Sequence, residues 1–292
     1  MALKEVNRCM PNDVNLDFSK NQQSKWIGGL NDLYTGDRQF VCIYLPETIN
    51  SSITKSSLLV VVHGYGARRN TARGRQSVRR FTNYWGQQVA DKNWIVMAPH
   101  FDEKRFNKNY QRLNLTGLRS DVRLNQLIQS LCQLLAPIET EKRMLLGFSG
   151  GGQFVHRYLA FREDMISRAV IGAPGWFMWP DLSYHYPLGF GDPNAPEKGP
   201  ERLRRLCRQN LLLLVGDKDT NQGAFRKIYN HTDLREMQGT GRRERATNWF
   251  HALKKAAEDE NIELCVRFQI LKNTAHRINQ NFTKTALDFV SA

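Results

Sequence analysis

Ser149 stands in Gly147-Phe148-Ser149-Gly150-Gly151, a Gly-x-Ser-x-Gly pentapeptide set between the apolar run Met144-Leu145-Leu146 and a stretch, Gln153 to Ala160, that reads as a helix. A serine on such a strand-to-helix turn, a nucleophile elbow, points its hydroxyl out of the top of a sheet. The turn demands small residues at Gly147 and Gly151, where strand and helix nearly touch. A serine hydroxyl is a weak nucleophile, so the chemistry also needs a base, an acid to orient that base, and donors for an oxyanion. Candidates for each follow apolar runs elsewhere in the chain. His276 closes the short loop Lys272-Asn273-Thr274-Ala275-His276 after the alternating run Leu264 to Leu271. Asp217-Lys218-Asp219 follows Leu211 to Gly216; Asp219 has the spacing to return towards a histidine, and Asp217 reads as a cap on the turn. His63-Gly64-Tyr65-Gly66 follows Leu58 to Val62 and offers the N–H of Tyr65, which with the N–H of Gly150 makes an oxyanion pair. His63 itself reads as a brace for that glycine turn. His100, in Pro99-His100-Phe101-Asp102, reads as a pocket-lining or capping residue.

These residues require a scaffold that brings strand ends together. Arg38 to Pro46 alternates as a strand, Leu58 to Val62 is the continuous apolar run of a fully buried parallel strand, and Trp94 to Ala98, Met144 to Leu146, Arg168 to Ala173, Leu211 to Gly216 and Leu264 to Leu271 are further strands. Helical spacing is expected over Phe81 to Lys92, over Leu118 to Leu135 until Pro137 stops it, after the elbow, over Ala246 to Asp259 and at the C-terminus. Strands alternating with helices imply an α/β fold with a mostly parallel sheet, right-handed crossovers and helices on both faces. Ligands of such sheets bind outside the carboxyl ends of the strands, where every candidate above falls.

Residues 1–35 are polar, with Val14, Leu16, Phe18, Trp26 and Ile27 interspersed, and read as an extension that packs on a single domain spanning 36–292. Two insertions interrupt the domain. The first, about 174–208, begins Pro174-Gly175-Trp176-Phe177-Met178-Trp179-Pro180; its aromatic, turn-rich composition suggests either a cap in which Trp176, Phe177 and Trp179 wall a substrate site, or a self-packed loop. The second, 221–245, is polar and basic.

With 292 residues and 41% hydrophobic content the chain can bury a large core. No apolar run approaches the roughly 20 residues that cross a bilayer, and Met1 to Lys25 has no apolar centre of a signal peptide. Five widely spaced cysteines read as free thiols, so a cytoplasmic location is expected. No Cys-x-x-Cys or His-Glu-x-x-His pattern supports a metal, and the chemistry needs no cofactor. The net charge of +14 is concentrated in arginine groups: six between Arg68 and Arg80, then Arg202, Arg204, Arg205, Arg208, then Arg242, Arg243, Arg245. They read either as solvated faces or as contacts for an anionic substrate, membrane surface or partner; without a reader motif, nucleic acid is disfavoured.

In its order of nucleophile, acid and histidine, its elbow and its His63-Gly64 turn, the chain resembles the α/β-hydrolase superfamily from about Gly36 onward. Gly36 to Pro46, the buried strand and the His-Gly turn are similar to the polyhydroxybutyrate-depolymerase-like and feruloyl-esterase-like group. The resemblance implies a serine hydrolase with Ser149, His276 and Asp219 as its triad, acting on small or lipid-like carboxylic esters. A peptidase or thioesterase on the same residues, and a non-catalytic protein that binds an anionic surface, are the alternatives.

Overall fold

The computed structural model describes residues 16–17, 28–47, 56–113, 117–135, 143–162, 165–191, 199–221 and 232–292. Within them the strands are β1 (Leu16–Asp17), β2 (Gly29–Thr35), β3 (Phe40–Leu45), β4 (Leu58–Val62), β5 (Ile95–Pro99), β6 (Arg143–Phe148), β7 (Arg168–Gly172), β8 (Leu211–Gly216) and β9 (Val266–Leu271). The helices are α1 (Ala72–Gln88), α2 (Ser120–Leu134), α3 (Gly150–Phe161), α4 (Gly199–Cys207), α5 (Thr232–Gln238), α6 (Arg242–Asp259) and α7 (Gln280–Ser291). One sheet joins all the strands in the order β1-β2-β3-β5-β4-β6-β7-β8-β9. The β1–β2, β2–β3 and β3–β5 pairs are antiparallel, and every pair from β5–β4 to β8–β9 is parallel. The winding reverses at β4, which has β5 on one side and β6 on the other. The carboxyl ends of β4 and β6 therefore flank the crevice where doubly wound sheets bind ligands.

The two-residue period of a strand divides each central run between two cores. Val60 and Val62 of β4, Leu145 of β6 and Leu213 of β8 face one core, shared with α2, α3, α4 and α6. Leu59, Val61, Leu146 and Leu214 face the other, closed by α1 and α7. Helices thus cover both faces, as the alternation of runs implied. Among the described residues no helix is long and apolar enough to cross a membrane.

Several boundaries differ from the sequence reading, each for a local reason. Gly29–Thr35, within the expected extension, pairs with β3 over six residues and buries Leu33 and Thr35, so the sheet starts ahead of residue 36. Its outward Asp32 and Tyr34 hid the alternation. Val14, Phe18, Trp26, Ile27 and Pro137 lie outside the described residues, as do parts of both expected insertions. The arginine-rich stretch ahead of Phe81 is the first half of α1: Thr71 caps it by accepting from the Gly74 N–H at 3.2 Å, and Gly74, Val78 and Thr82 face inward. α4 buries Leu203, Leu206 and Cys207 in the core beside α3 and α6 and is a regular covering helix rather than part of a cap. α6 starts at Arg242, four residues before the expected start, because the Glu244 carboxylate accepts from the Thr240 N–H at 2.7 Å and closes its first turn.

The segment after β7 is fastened to α6 and α3. Trp249 stacks on Phe177 at 4.6 Å between centroids and donates its indole N–H to the Met178 carbonyl at 2.8 Å. His156 Nδ1–H donates to Gly152 O at 3.0 Å, and its Nε2 accepts the Met178 N–H at 3.0 Å. Truncation at Trp249, which is wholly buried, removes both the stack and the hydrogen bond. Trp249→Ala is expected to lose about 3–5 kcal/mol in urea unfolding, and Trp249→Phe, which keeps a ring, about 1–2 kcal/mol.

Candidate active site

The loop that joins β6 to α3 is bent at Ser149, whose backbone takes φ 57°, ψ −113°. A Cβ at Gly147 would lie 2.3 Å from Gly151 O, and one at Gly151 would lie 2.1 Å from Val62 O, so strand, turn and neighbouring strand touch through backbone alone. The turn after β4 packs on the same elbow: a Cβ at Gly64 would sit 3.8 Å from Ser149 Cβ, and one at Gly150 would sit 2.8 Å from Tyr65 N. Gly150 opens α3 and Tyr65 opens a short 3-10 turn, Tyr65–Arg68. The first N–H groups of a helix point outward along its axis without intrahelical partners, so these two elements bring donors to one place beside Ser149.

The other two candidates arrive from the far side of the sheet. His276 Nε2 lies 3.1 Å from Ser149 Oγ, and its Nδ1 lies 2.7 Å from Asp219 Oδ2. The Asp219 side chain is wholly buried, whereas 29% of the His276 side chain is exposed. Ionised Asp219 accepts from Nδ1–H, which leaves the lone pair of Nε2 towards the serine hydroxyl. Asp217 faces elsewhere: it accepts the N–H groups of Asn273 and Thr274, both at 3.0 Å, and these bonds hold its carboxyl below the ordinary carboxylate range. It thus clamps the loop that carries His276. Phe148 packs on the other side of that imidazole, 4.9 Å between centroids.

Neither a scan of protein-family models nor a search of curated proteins finds a match. Solved structures do match. Poly(aspartic acid) hydrolase-1 from Sphingomonas sp. KT-1 superposes with a TM-score of 0.74 at 23% identity, over 91% of this chain and 100% of that one. A poly(3-hydroxybutyrate) depolymerase from Bordetella parapertussis gives 0.72 at 18% identity, over 91% and 90%. An S-formylglutathione hydrolase from Agrobacterium tumefaciens gives 0.56 at 11%, over 95% and 99%. The chain has the α/β-hydrolase fold. In that fold the carboxyl ends of β4, β6, β8 and β9 carry Tyr65, Ser149, Asp219 and His276.

The remaining sequence candidates lie in the α/β-hydrolase framework rather than on an open face. His63 is 1% exposed, donates through Nδ1 to Gly64 O at 2.9 Å and accepts the Phe101 N–H at Nε2 at 3.0 Å, which is the bracing role read from its position. Tyr110 donates its hydroxyl to His63 O at 2.7 Å and fixes the same turn from behind. His100 is 2% exposed, bonds Ala67 O at 2.9 Å and packs on the His63 ring, so it supports the turn. Phe177 is wholly buried against Trp249 and His156. Trp176 and Trp179 are buried, at 5% and 8% exposure, and the Arg157 guanidinium lies over the Trp176 ring at 4.2 Å.

Two contributors escaped the sequence reading. Arg242 NH1 lies 3.2 Å from Asp219 Oδ1, and the Arg243 N–H donates to Asp219 O at 3.0 Å, so the first turn of α6 grips the acid. The signal was Glu244 three residues after Gly241, a helix start hidden in a basic run. His156 lies in the stretch that reads as a helix, and nothing local marks its bond to the Met178 N–H.

Burial depresses the basicity of the interior histidines: His63 falls to about 3, His156 well below its usual value, and His100 is lowered too. Below about pH 6.5 the unfolded chain takes up a proton at each and the folded chain does not, so stability falls as pH falls, by about 1.4 kcal/mol per pH unit per histidine. For His63 this continues to about pH 3. Urea midpoints are expected to drop between pH 7 and pH 5, and to drop less in His156→Gln.

Proposed function

We propose that the protein is a serine hydrolase that cleaves carboxylic esters through an acyl-enzyme. The observation that carries this reading is the continuous hydrogen-bonded line from Ser149 Oγ through His276 to the buried Asp219 carboxylate, at 3.1 and 2.7 Å. As Ser149 Oγ attacks the ester carbonyl, His276 Nε2 takes its proton and Asp219 stabilises the resulting imidazolium. The carbonyl oxygen becomes an oxyanion that the N–H groups of Tyr65 and Gly150 receive; loss of one such donor costs about 2.7–4 kcal/mol in transition-state stabilisation. The imidazolium then protonates the departing alkoxide. Water, deprotonated by the same Nε2, attacks the acyl carbon, and collapse of the second oxyanion frees Ser149. No cofactor enters any step.

A fluorophosphonate probe tests the nucleophile. One probe per chain is expected on the wild type by intact mass and none on Ser149→Ala, with ester turnover lost in parallel. Labelling of the variant, or an unreactive wild type, would sink the reading.

The substrate class follows from the charge around the site. Arg69, Arg73, Lys218, Arg243, Lys272 and Arg277 are exposed on the turns and helix starts beside the candidate residues. Of the acids in the same turns, Asp219 is buried on His276, Asp217 is spent on two backbone N–H groups and Glu244 on the Thr240 N–H and hydroxyl. The rim therefore favours acyl compounds that carry carboxylates, which agrees with the name of one structural neighbour, poly(aspartic acid) hydrolase. The mono-p-nitrophenyl ester of suberic acid and p-nitrophenyl octanoate have acyl chains of equal length and differ in terminal charge. At low salt the anionic ester is expected to show kcat/KM roughly tenfold higher, and the advantage to vanish as salt screens the rim. An equal salt response for the two esters would remove the anionic preference.

A further inference from the structure

Every oxygen of the candidate acid has a partner, and one of those partners is a cation. Asp219 Oδ2 holds His276 at 2.7 Å, while Oδ1 holds Arg242 at 3.2 Å. The acid's side chain is wholly buried and that of Arg242 is 12% exposed, so water screens the pair poorly. The same helix start fixes the acid's backbone, through the bond from the Arg243 N–H to Asp219 O at 3.0 Å.

We infer that Arg242 is a positioning residue that holds the Asp219 carboxylate in line with His276 Nδ1. The inference rests on the acyl-transfer reading above. Other charges near His276 do not substitute for Arg242. Asp217 is directed at the Asn273 and Thr274 N–H groups. Lys218, Lys272 and Arg277 are exposed, where solvent screens them. The uncharged neighbours are the Ser149 hydroxyl and the Phe148 ring. Loss of the guanidinium removes the partner that fixes Oδ1 and, with it, the aim of Oδ2 at His276 Nδ1.

The test is kcat and KM on a neutral p-nitrophenyl ester for wild type, Arg242→Lys and Arg242→Gln, each checked for folding by its Tm. Arg242→Gln is expected to lower kcat about tenfold with KM within about twofold. Arg242→Lys, which keeps the charge but holds it less closely to Oδ1, is expected to recover part of that loss. If Arg242→Gln does not fold, the lysine variant carries the test as a loss of kcat at unchanged KM. The rate of fluorophosphonate labelling, which needs the same activated serine, is expected to fall in the same order. A wild-type kcat and labelling rate in the folded variants, whatever their Tm, would leave Arg242 a merely structural residue and overturn the inference. An active Ser149→Ala would instead remove the acyl-transfer reading on which it rests.

Discussion

The left-handed backbone of Ser149 is the constraint on which the site depends. A residue with a side chain held in that region costs about 1–3 kcal/mol, and it persists only where its surroundings over-determine it. Here they do so from three sides. The Ser149 N–H donates to Gly172 O on β7 at 2.7 Å, the Ser149 carbonyl accepts from Gln153 in α3 at 3.1 Å, and Gly151 lies against the β4 backbone. The elbow is thus wedged between the strands on either side of β6. Because that wedge is made of backbone, the position of the hydroxyl is set by the central sheet.

How much of this was legible depended on the range of the interactions involved. Buried parallel strands announce themselves as apolar runs, and the elbow is a contiguous pentapeptide, so β4, β6, β7, β8 and Ser149 could be placed from local pattern. Asp219 and His276 were found by the same logic, since each follows a strand. Contacts that cross the sheet left no local trace. Phe177 in an aromatic run resembles a pocket wall, and only its stack on Trp249, 72 residues away in the chain, turns it inward. His100 at a strand end resembles a site residue until Ala67 O accounts for its ring nitrogen.

Charge misled in a similar way. Arg202 and Arg245 belong to runs that read as basic surface, yet they are 1% and 0% exposed. Arg202 donates to Phe190 O and lies over the Phe161 ring at 4.9 Å; Arg245 donates to Thr240 O at 2.5 Å. Arg157, in α3, is wholly buried as well, bonded to Gln153 O at 2.8 Å, and burial lowers its pKa to about 9. These guanidiniums are packing elements that use carbonyls and ring faces as partners. Part of the +14 therefore stiffens loops from within, and the outward field comes from fewer residues than the sequence counts.

The acid side of the site shows why the turn after β8 holds two aspartates. β8 and β9 are paired in parallel from Leu211 and Val266 to Gly216 and Leu271, so the loops after Gly216 and Leu271 emerge side by side. Asp217 ties the two loops together through Asn273 and Thr274, and the Lys218 N–H adds a bond to Thr274 O at 3.0 Å. Only with that tie in place does Asp219, two residues on, meet His276. The first aspartate sets the loop and the second meets His276, while the start of α6 closes behind the second with Arg242. A sequence that supplied the apolar strands and the two outer residues, but lost Asp217 or the Glu244 that starts α6, would keep the fold and let the line of hydrogen bonds drift apart.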